Sequence, residues 1–363
     1  MGVFDEYILG GNPSQMEKSY AWKTAIGLQD VDGLKPSEYL VQTAKQNIEG
    51  DITIEEAKQL IDSYYRSASN RHNVENDRTE EADKVSARIA EILSEQTFNF
   101  SPAQLTSIHR RLFEGIYKFA GMIRDYNITK NEWVLGGETV YYASYDTISE
   151  TLEYDMRTER EFSYAGMPVD DAIRHLMRFC ANLWQIHAFC EGNTRTTAVF
   201  MIKYLKTLGF NVVNDMFAQN SWYFRNALVR ANYSNLQQGI TETTVYLERF
   251  FRSMLLGEEH SFRNRELHIE WKGSTDVDTV QSANETVQSA NSALYLSKGH
   301  NCTLEEVALL RVVQLKPTAT QKEIAAEIGK SERTVKSLTV SLQEKGILKR
   351  TGSRRDGKWE IVK

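Results

Sequence analysis

The chain has 363 residues, 41% hydrophobic and 25% charged, with a net charge of −6, a composition that fits an ordinary soluble globular protein of two or three domains. That mild negative charge gives the chain as a whole no electrostatic case for a nucleic-acid or anionic-membrane partner. No apolar run long enough to span a bilayer and no leader-like N-terminus is present, and Cys180, Cys190 and Cys302 make neither a metal-ligand nor a disulfide pattern, so a cytoplasmic protein with no membrane partner is expected.

Asn12-Pro13-Ser14 opens a helical stretch through Trp22, Ile26 and Leu28, which Asp32-Gly33-Leu34-Lys35-Pro36 breaks. Ser37 to Asn47 and Thr53 to Arg66 read as two further helices, with Ser37 and Thr53 as N-caps and a capping box from Thr53 to Glu56. Residues 67–85 are polar and turn-rich and read as a connection, with a helix from about Thr79 to Ser94. Ser101-Pro102 starts the next helix, and Phe119-Ala120-Gly121-Met122-Ile123-Arg124 closes that region. Tyr126–Thr129 and Thr139–Tyr142 are short β-type runs around Leu135-Gly136-Gly137-Glu138, which predicts a hairpin near 126–143.

After a helix over 146–163, residues 171–184 and 196–208 carry apolar side chains at helical spacing. Between them stands the polar run His187-Ala188-Phe189-Cys190-Glu191-Gly192-Asn193-Thr194-Arg195. A hairpin of two buried helices gains nothing by desolvating that set. Gly192, Asn193 and Thr194 can turn backbone N–H groups toward one point at a helix N-terminus, an anion nest. Arg195 adds a forked cation suited to phosphate oxygens, Glu191 a ligand for a hard divalent cation, and His187 a base for an attacking hydroxyl.

These residues resemble the signature of the Fic family, His-Pro-Phe-x-Asp/Glu-Gly-Asn-Gly-Arg-x-x-Arg. His187, Phe189, Glu191, Gly192, Asn193 and Arg195 match, while Ala188, Thr194 and Ala198 replace Pro, the second Gly and the final Arg. The run ending in Arg124 is similar to the family's segment before its flap. The resemblance implies a mostly α fold, a Fic-type helical bundle with a β-hairpin flap. It also implies transfer of a nucleoside monophosphate, AMP from the substrate ATP, to a hydroxyl of a target protein. In that reading His187 is the base, Glu191 holds Mg²⁺, residues Gly192, Asn193, Thr194 and Arg195 bind phosphate, and Thr139, Val140 and Tyr141 clamp the target by strand addition. Asn220, Tyr223 and Asn226, on the helix opening at Phe217, could reach adenine and ribose, or could equally cap and anchor that helix. Two other readings stay open: another phosphate-containing transfer or AMP removal on the same fold, and a nucleotide-binding, DNA-associated regulator without catalysis.

Residues 1–66 resemble the antitoxin subunits that accompany some Fic proteins, with Thr24-Ala25-Ile26-Gly27-Leu28-Gln29 in the place of the inhibitory helix and Leu28 where its Glu belongs; a plain helical packing domain is the alternative. Residues 67–257 are then the Fic domain. The duplicated Thr-Val-Gln-Ser-Ala-Asn at 279–284 and 286–291 marks 258–300 as a linker. Residues 301–363 read as helix, helix, helix and two strands around a basic turn, the element order of a winged helix-turn-helix, a small α/β domain. Arg333, Lys336, Arg354 and Arg355 are its candidate contacts to duplex DNA; protein contact or a homodimer is the open alternative.

Overall fold

The computed structural model describes residues 3–68, 74–210, 216–271, 302–352 and 357–362. These form α1 (Asp5–Gly10), α2 (Pro13–Gly27), α3 (Glu38–Glu49), α4 (Ile54–Ala68), α5 (Val74–Ser94), α6 (Pro102–Phe113), α7 (Ile148–Glu161), α8 (Val169–Ile186), α9 (Asn193–Thr207), α10 (Met216–Ala231) and α11 (Val245–Leu256). Then come α12 (Leu304–Leu315), α13 (Gln321–Glu327), α14 (Glu332–Glu344), and the strands β1 (Leu348–Thr351) and β2 (Lys358–Ile361). The protein is mostly helical; no described helix is long and apolar enough to cross a membrane.

Local chemistry sets the helix starts. Asn12 accepts from Gln15 N–H and Gln15 reaches back to Asn12 N–H, with Pro13 at the first helical position of α2. Thr53 and Glu56 make the same reciprocal pair for α4, and Ser101 caps α6 ahead of Pro102. Helix α1 was not legible in the sequence: its single turn and a half is too short for a periodic signal, and its N-cap is Phe4 in the left-handed region at φ 68°.

The core is continuous. Trp22, Ala25 and Leu28 of the N-terminal region are buried in the same apolar cluster as α5, α8 and α10. Helix α2 approaches α10 so closely that a Cβ on Gly27 would lie 2.3 Å from Ala218 Cα, and Ser221 Oγ donates to the Gly27 carbonyl at 2.6 Å. The N-terminal helices therefore pack into the bundle.

Four expectations are corrected. The polar stretch 67–85 is not a connection throughout: α5 begins at Val74, and its polar side chains find partners, Arg78 donating to the carbonyls of Asp32 and Gly33. Residues 126–143 contain no strand. Their backbone groups are satisfied by side chains instead of a ladder: Tyr126 and Ala143 carbonyls accept from Arg124, the Tyr141 carbonyl from Gln185, and Lys130 N–H donates to Thr139 Oγ1. Only the tip closes on itself, with Glu132 N–H donating to Glu138 O and Gly137 N–H to Glu132 O.

The linker boundary at 258 is also too early. Residues 258–271 form a strap from α11 back across α10, with Leu267 buried, Tyr246 Oη donating to Glu266 O and Ile269 N–H donating to Val134 O. Phe262, Leu267 and Ile269 are too irregularly spaced to register as a periodic element. The duplicated run, 279–291, lies outside the described residues.

Finally, residues 302–362 do not stand apart. Val169 N–H donates to Cys302 O at 2.9 Å, Arg311 Nη1 to Leu255 O at 3.4 Å, and Gly209 faces Ile328 closely enough that a Cβ there would lie 3.1 Å from the Ile328 carbonyl oxygen. Three helices and an antiparallel ribbon, Leu348 opposite Ile361 and Thr351 opposite Lys358, thus dock on the ends of α8, α9 and α11.

Candidate active site

Helix α8 ends at His187, which takes the left-handed conformation at φ 49°, unusual for a residue with a side chain and costing of order 1 kcal/mol. The turn is held by Arg124. Its Nε donates to the His187 carbonyl at 2.8 Å and its backbone N–H to the Ala188 carbonyl at 3.0 Å. His187 is 4% exposed. Its Nδ1 lies 3.3 Å from the Trp184 carbonyl oxygen, which can only accept, so the Nδ1–H tautomer leaves the Nε2 lone pair free. Burial first, then the positive charge of Lys130, hold the imidazole well below its ordinary pKa, so it is neutral and able to take a proton. The Tyr142 ring lies 4.1 Å from it.

From His187 the chain turns through Gly192, at φ 77°, into α9. Only glycine fits there: a Cβ would lie 2.3 Å from the Phe113 ring. His109, on α6, supports the loop from behind. It stacks on Phe189 at 3.8 Å, its Nδ1 accepts from Gly121 N–H, and its Nε2 donates to the Glu191 carbonyl; burial lowers its pKa to about 4. The amide of Asn193 clasps Phe189 at both backbone groups, 3.0 and 2.7 Å, and Thr194 Oγ1 accepts from Trp184 Nε1 at 2.9 Å. The side chains of Asn193 and Thr194 therefore fix the loop, and what the segment can offer an anion is its backbone N–H groups.

The run of residues 187–195 is thus a rigid turn with a neutral histidine on one side and a helix N-terminus on the other. The sequence model of the Fic/DOC family matches residues 99–205. This stretch is a Fic/DOC domain. A solved structure of a Fic family protein from Desulfovibrio desulfuricans G20 is 12% identical, with 98% of this chain and 90% of that chain covered at a TM-score of 0.41, a likeness too distant to decide fold or function.

Within the Fic/DOC domain Arg195 departs most from the expected arrangement. It is 1% exposed. Its Nε lies 2.9 Å from Asp32 Oδ2 and its Nη2 2.6 Å from Glu81 Oε1, while Nη1 donates to Gln29 Oε1 at 3.1 Å and Nη2 also to Tyr117 Oη at 3.2 Å. The guanidinium lies 4.8 Å from the Phe113 ring centroid. Burial opposes the charge, but Asp32, Tyr117 and Glu81 more than offset it and raise its pKa. Arg195 ties the loop to the N-terminal helices instead of facing the nest. Leu28, which stands where the antitoxin-like helix would carry its Glu, and Ala198, which stands where the signature has its final Arg, are both buried apolar residues.

The remaining predicted residues are spread around this centre. Val140 is buried and Tyr141 is 81% exposed, its carbonyl held by Gln185; Thr139 positions Lys130. Asn220 sits at a kink in α10 with φ −130°. Tyr223 packs edge-on against Phe262, and Asn226 Nδ2 donates to Asn264 Oδ1 at 2.8 Å, so both anchor the strap. Arg333 and Lys336 are exposed on α14; Arg354 and Arg355 lie outside the described residues. Sequence reasoning did not single out His109, Glu132, Tyr142 or Lys130. Tyr142 Oη donates to the fully buried Glu132, which pairs with Arg225 at 2.7 Å, and no local pattern announces that chain of contacts.

Among the described residues no group of three His, Cys, Asp or Glu side chains converges to hold a metal. Glu191 is the only carboxylate of the 187–195 run, and its Oε2 lies 2.8 Å from Lys130 Nζ. A divalent ion held by this loop would have to share its one carboxylate with the Lys130 ammonium.

Proposed function

We propose that the chain transfers AMP from ATP to a hydroxyl side chain of a target protein. The observation that carries this is the neutral, buried His187, whose free Nε2 lone pair belongs to the same rigid turn as the N-terminal amides of α9. In the step, the target hydroxyl oxygen bonds to the α-phosphorus, the bond from that phosphorus to pyrophosphate breaks, and His187 takes the hydroxyl proton. The 192–194 amides face the charge that grows on the phosphate oxygens. The exposed Tyr141, flanked by Thr139 and Val140, is the surface of this segment that the target would meet. Asn220, at the kink of α10, is the remaining candidate for contact with the nucleoside. The three free cysteines suit a reducing, cytoplasmic compartment.

Incubating the full chain with ATP labelled at the α or the γ position, with lysate, tests this. Label on protein from the α position alone supports AMP transfer. Label from the γ position alone would replace that reading with phosphorylation, and label from neither would favour a regulator without transfer.

A second reading applies to residues 302–362. Their helix–helix–helix–ribbon order, with Arg333 and Lys336 exposed at the start of the third helix, supports a winged helix-turn-helix that binds duplex DNA. Neutralising both residues should weaken a binding that falls with rising salt. Duplex binding that is absent at low salt would assign this module to protein contact.

A further inference from the structure

Lys130 lies between the two arms of residues 126–143, and its backbone N–H is pinned by Thr139 Oγ1 at 3.1 Å. Its side chain crosses to the signature loop, where Nζ lies 2.8 Å from Glu191 Oε2. A cation bound to this loop through its one carboxylate would have to share that oxygen with an ammonium already in contact with it. Magnesium at a phosphate site is held by one or two carboxylates, with phosphate and water oxygens completing an octahedron at about 2.0–2.1 Å, and here the one carboxylate of the loop is already paired with an ammonium. Three other cations bonded to this region are committed elsewhere: Arg124 to the carbonyls of His187, Tyr126 and Ala143, Arg195 to Asp32, Glu81, Gln29 and Tyr117, and Arg225 to Glu132.

We propose that the cation working at Glu191 is the Lys130 ammonium in place of a divalent metal, and that it holds the nucleotide phosphates together with the amides of residues 192–194. This assignment rests on the transfer reading above. An ammonium has three N–H donors; one meets Glu191 and the others are available to phosphate oxygens. The residue is tethered by the fold, so its charge is present without recruitment from solution. The proton of the attacking hydroxyl goes to His187, so the lysine takes no part in proton transfer. Glu191 in this arrangement is a positioning residue that keeps the ammonium at the loop.

The test is calorimetric titration of the full chain with inorganic pyrophosphate, in excess EDTA and in Mg²⁺, at matched free pyrophosphate. Wild type should bind equally within about twofold in both. Lys130→Met should bind about tenfold more weakly in EDTA, the size of one charge-assisted hydrogen bond, and regain affinity in Mg²⁺ as Glu191 is freed. Lys130→Arg should keep binding in EDTA, which separates loss of charge from loss of fold. Wild-type binding that is absent in EDTA overturns the assignment, and so does a Lys130→Met protein that binds as wild type there. Metal-independent binding that depends on Lys130, with no label transferred to any protein, leaves the assignment standing and counts against the transfer reading alone.

Discussion

At the scale of single residues the site is defined by what burial does to two histidines. His187→Ala removes the base and should lower transfer by about 10²–10⁴-fold while nucleotide still binds; transfer at the wild-type rate would remove His187 from the chemistry. Because burial, and then Lys130, depress the His187 pKa, the acid limb of the rate profile should fall well below pH 6.5. His109, lowered to about 4 by burial, makes a stability prediction. The unfolded chain takes up its proton near pH 6.5 and the folded chain only near 4, so between those values the unfolded state holds more protons and stability falls as pH falls. Urea midpoints at pH 7 and pH 5 should differ in wild type, and the difference should shrink in His109→Gln. Gly192→Ala puts a Cβ 2.3 Å from the Phe113 ring at φ 77° and should cost about 2–4 kcal/mol, read as a drop in urea midpoint; a midpoint within error of wild type would mean the loop can move.

At the scale of elements the buried Arg195 decides how the N-terminal helices relate to the Fic/DOC domain. Two carboxylates from different elements, Asp32 after α2 and Glu81 on α5, meet one guanidinium in the loop-to-α9 turn. Removing the cation strands both. Arg195→Met should destabilise by about 3 kcal/mol, the low end for a broken buried pair, since Asp32 is 34% exposed and keeps some solvation. Glu81→Gln retains a hydrogen-bonding partner and should cost less. Limited proteolysis should show the N-terminal helices cut sooner in Arg195→Met than in Glu81→Gln; equal resistance to wild type would mean apolar packing alone seats them. Leu28 stands where an antitoxin-like helix would carry its Glu, and it is fully buried. A Leu28→Glu change therefore tests the core and not a salt bridge, since the carboxylate would enter an apolar cluster.

At the scale of the whole molecule the described residues share one apolar cluster that runs from Phe4 to Trp359. The C-terminal helices cover the Val169 end of α8, with Val169 N–H bonded to Cys302 O. Deleting residues 302–363 should therefore expose that surface, lower Tm and promote aggregation, instead of releasing an intact catalytic part. Full-length protein should melt in one transition by calorimetry. A truncated chain with unchanged Tm would show that the docking contributes nothing to stability.

The sequence by itself determined the elements whose information is local. Caps at Asn12, Thr53 and Ser101 and the apolar periodicity of residues 169–208 are carried within a few turns of chain. A contiguous His-to-Arg run between two buried helices marked the candidate site because no core would tolerate it unpaired. What only the tertiary structure decided is which partner each polar side chain takes. Arg195 reads as a phosphate ligand along the chain, but Glu81, 114 residues away, claims it. Glu191 reads as a metal ligand, but Lys130, 61 residues away, occupies it. The arms of residues 126–143 have strand-like composition, but Arg124, Thr139 and Gln185 satisfy their backbone first. A charged or polar group is satisfied by whatever the fold brings within about 3 Å, and that distance is set by packing between elements far apart in the chain, which no local pattern records.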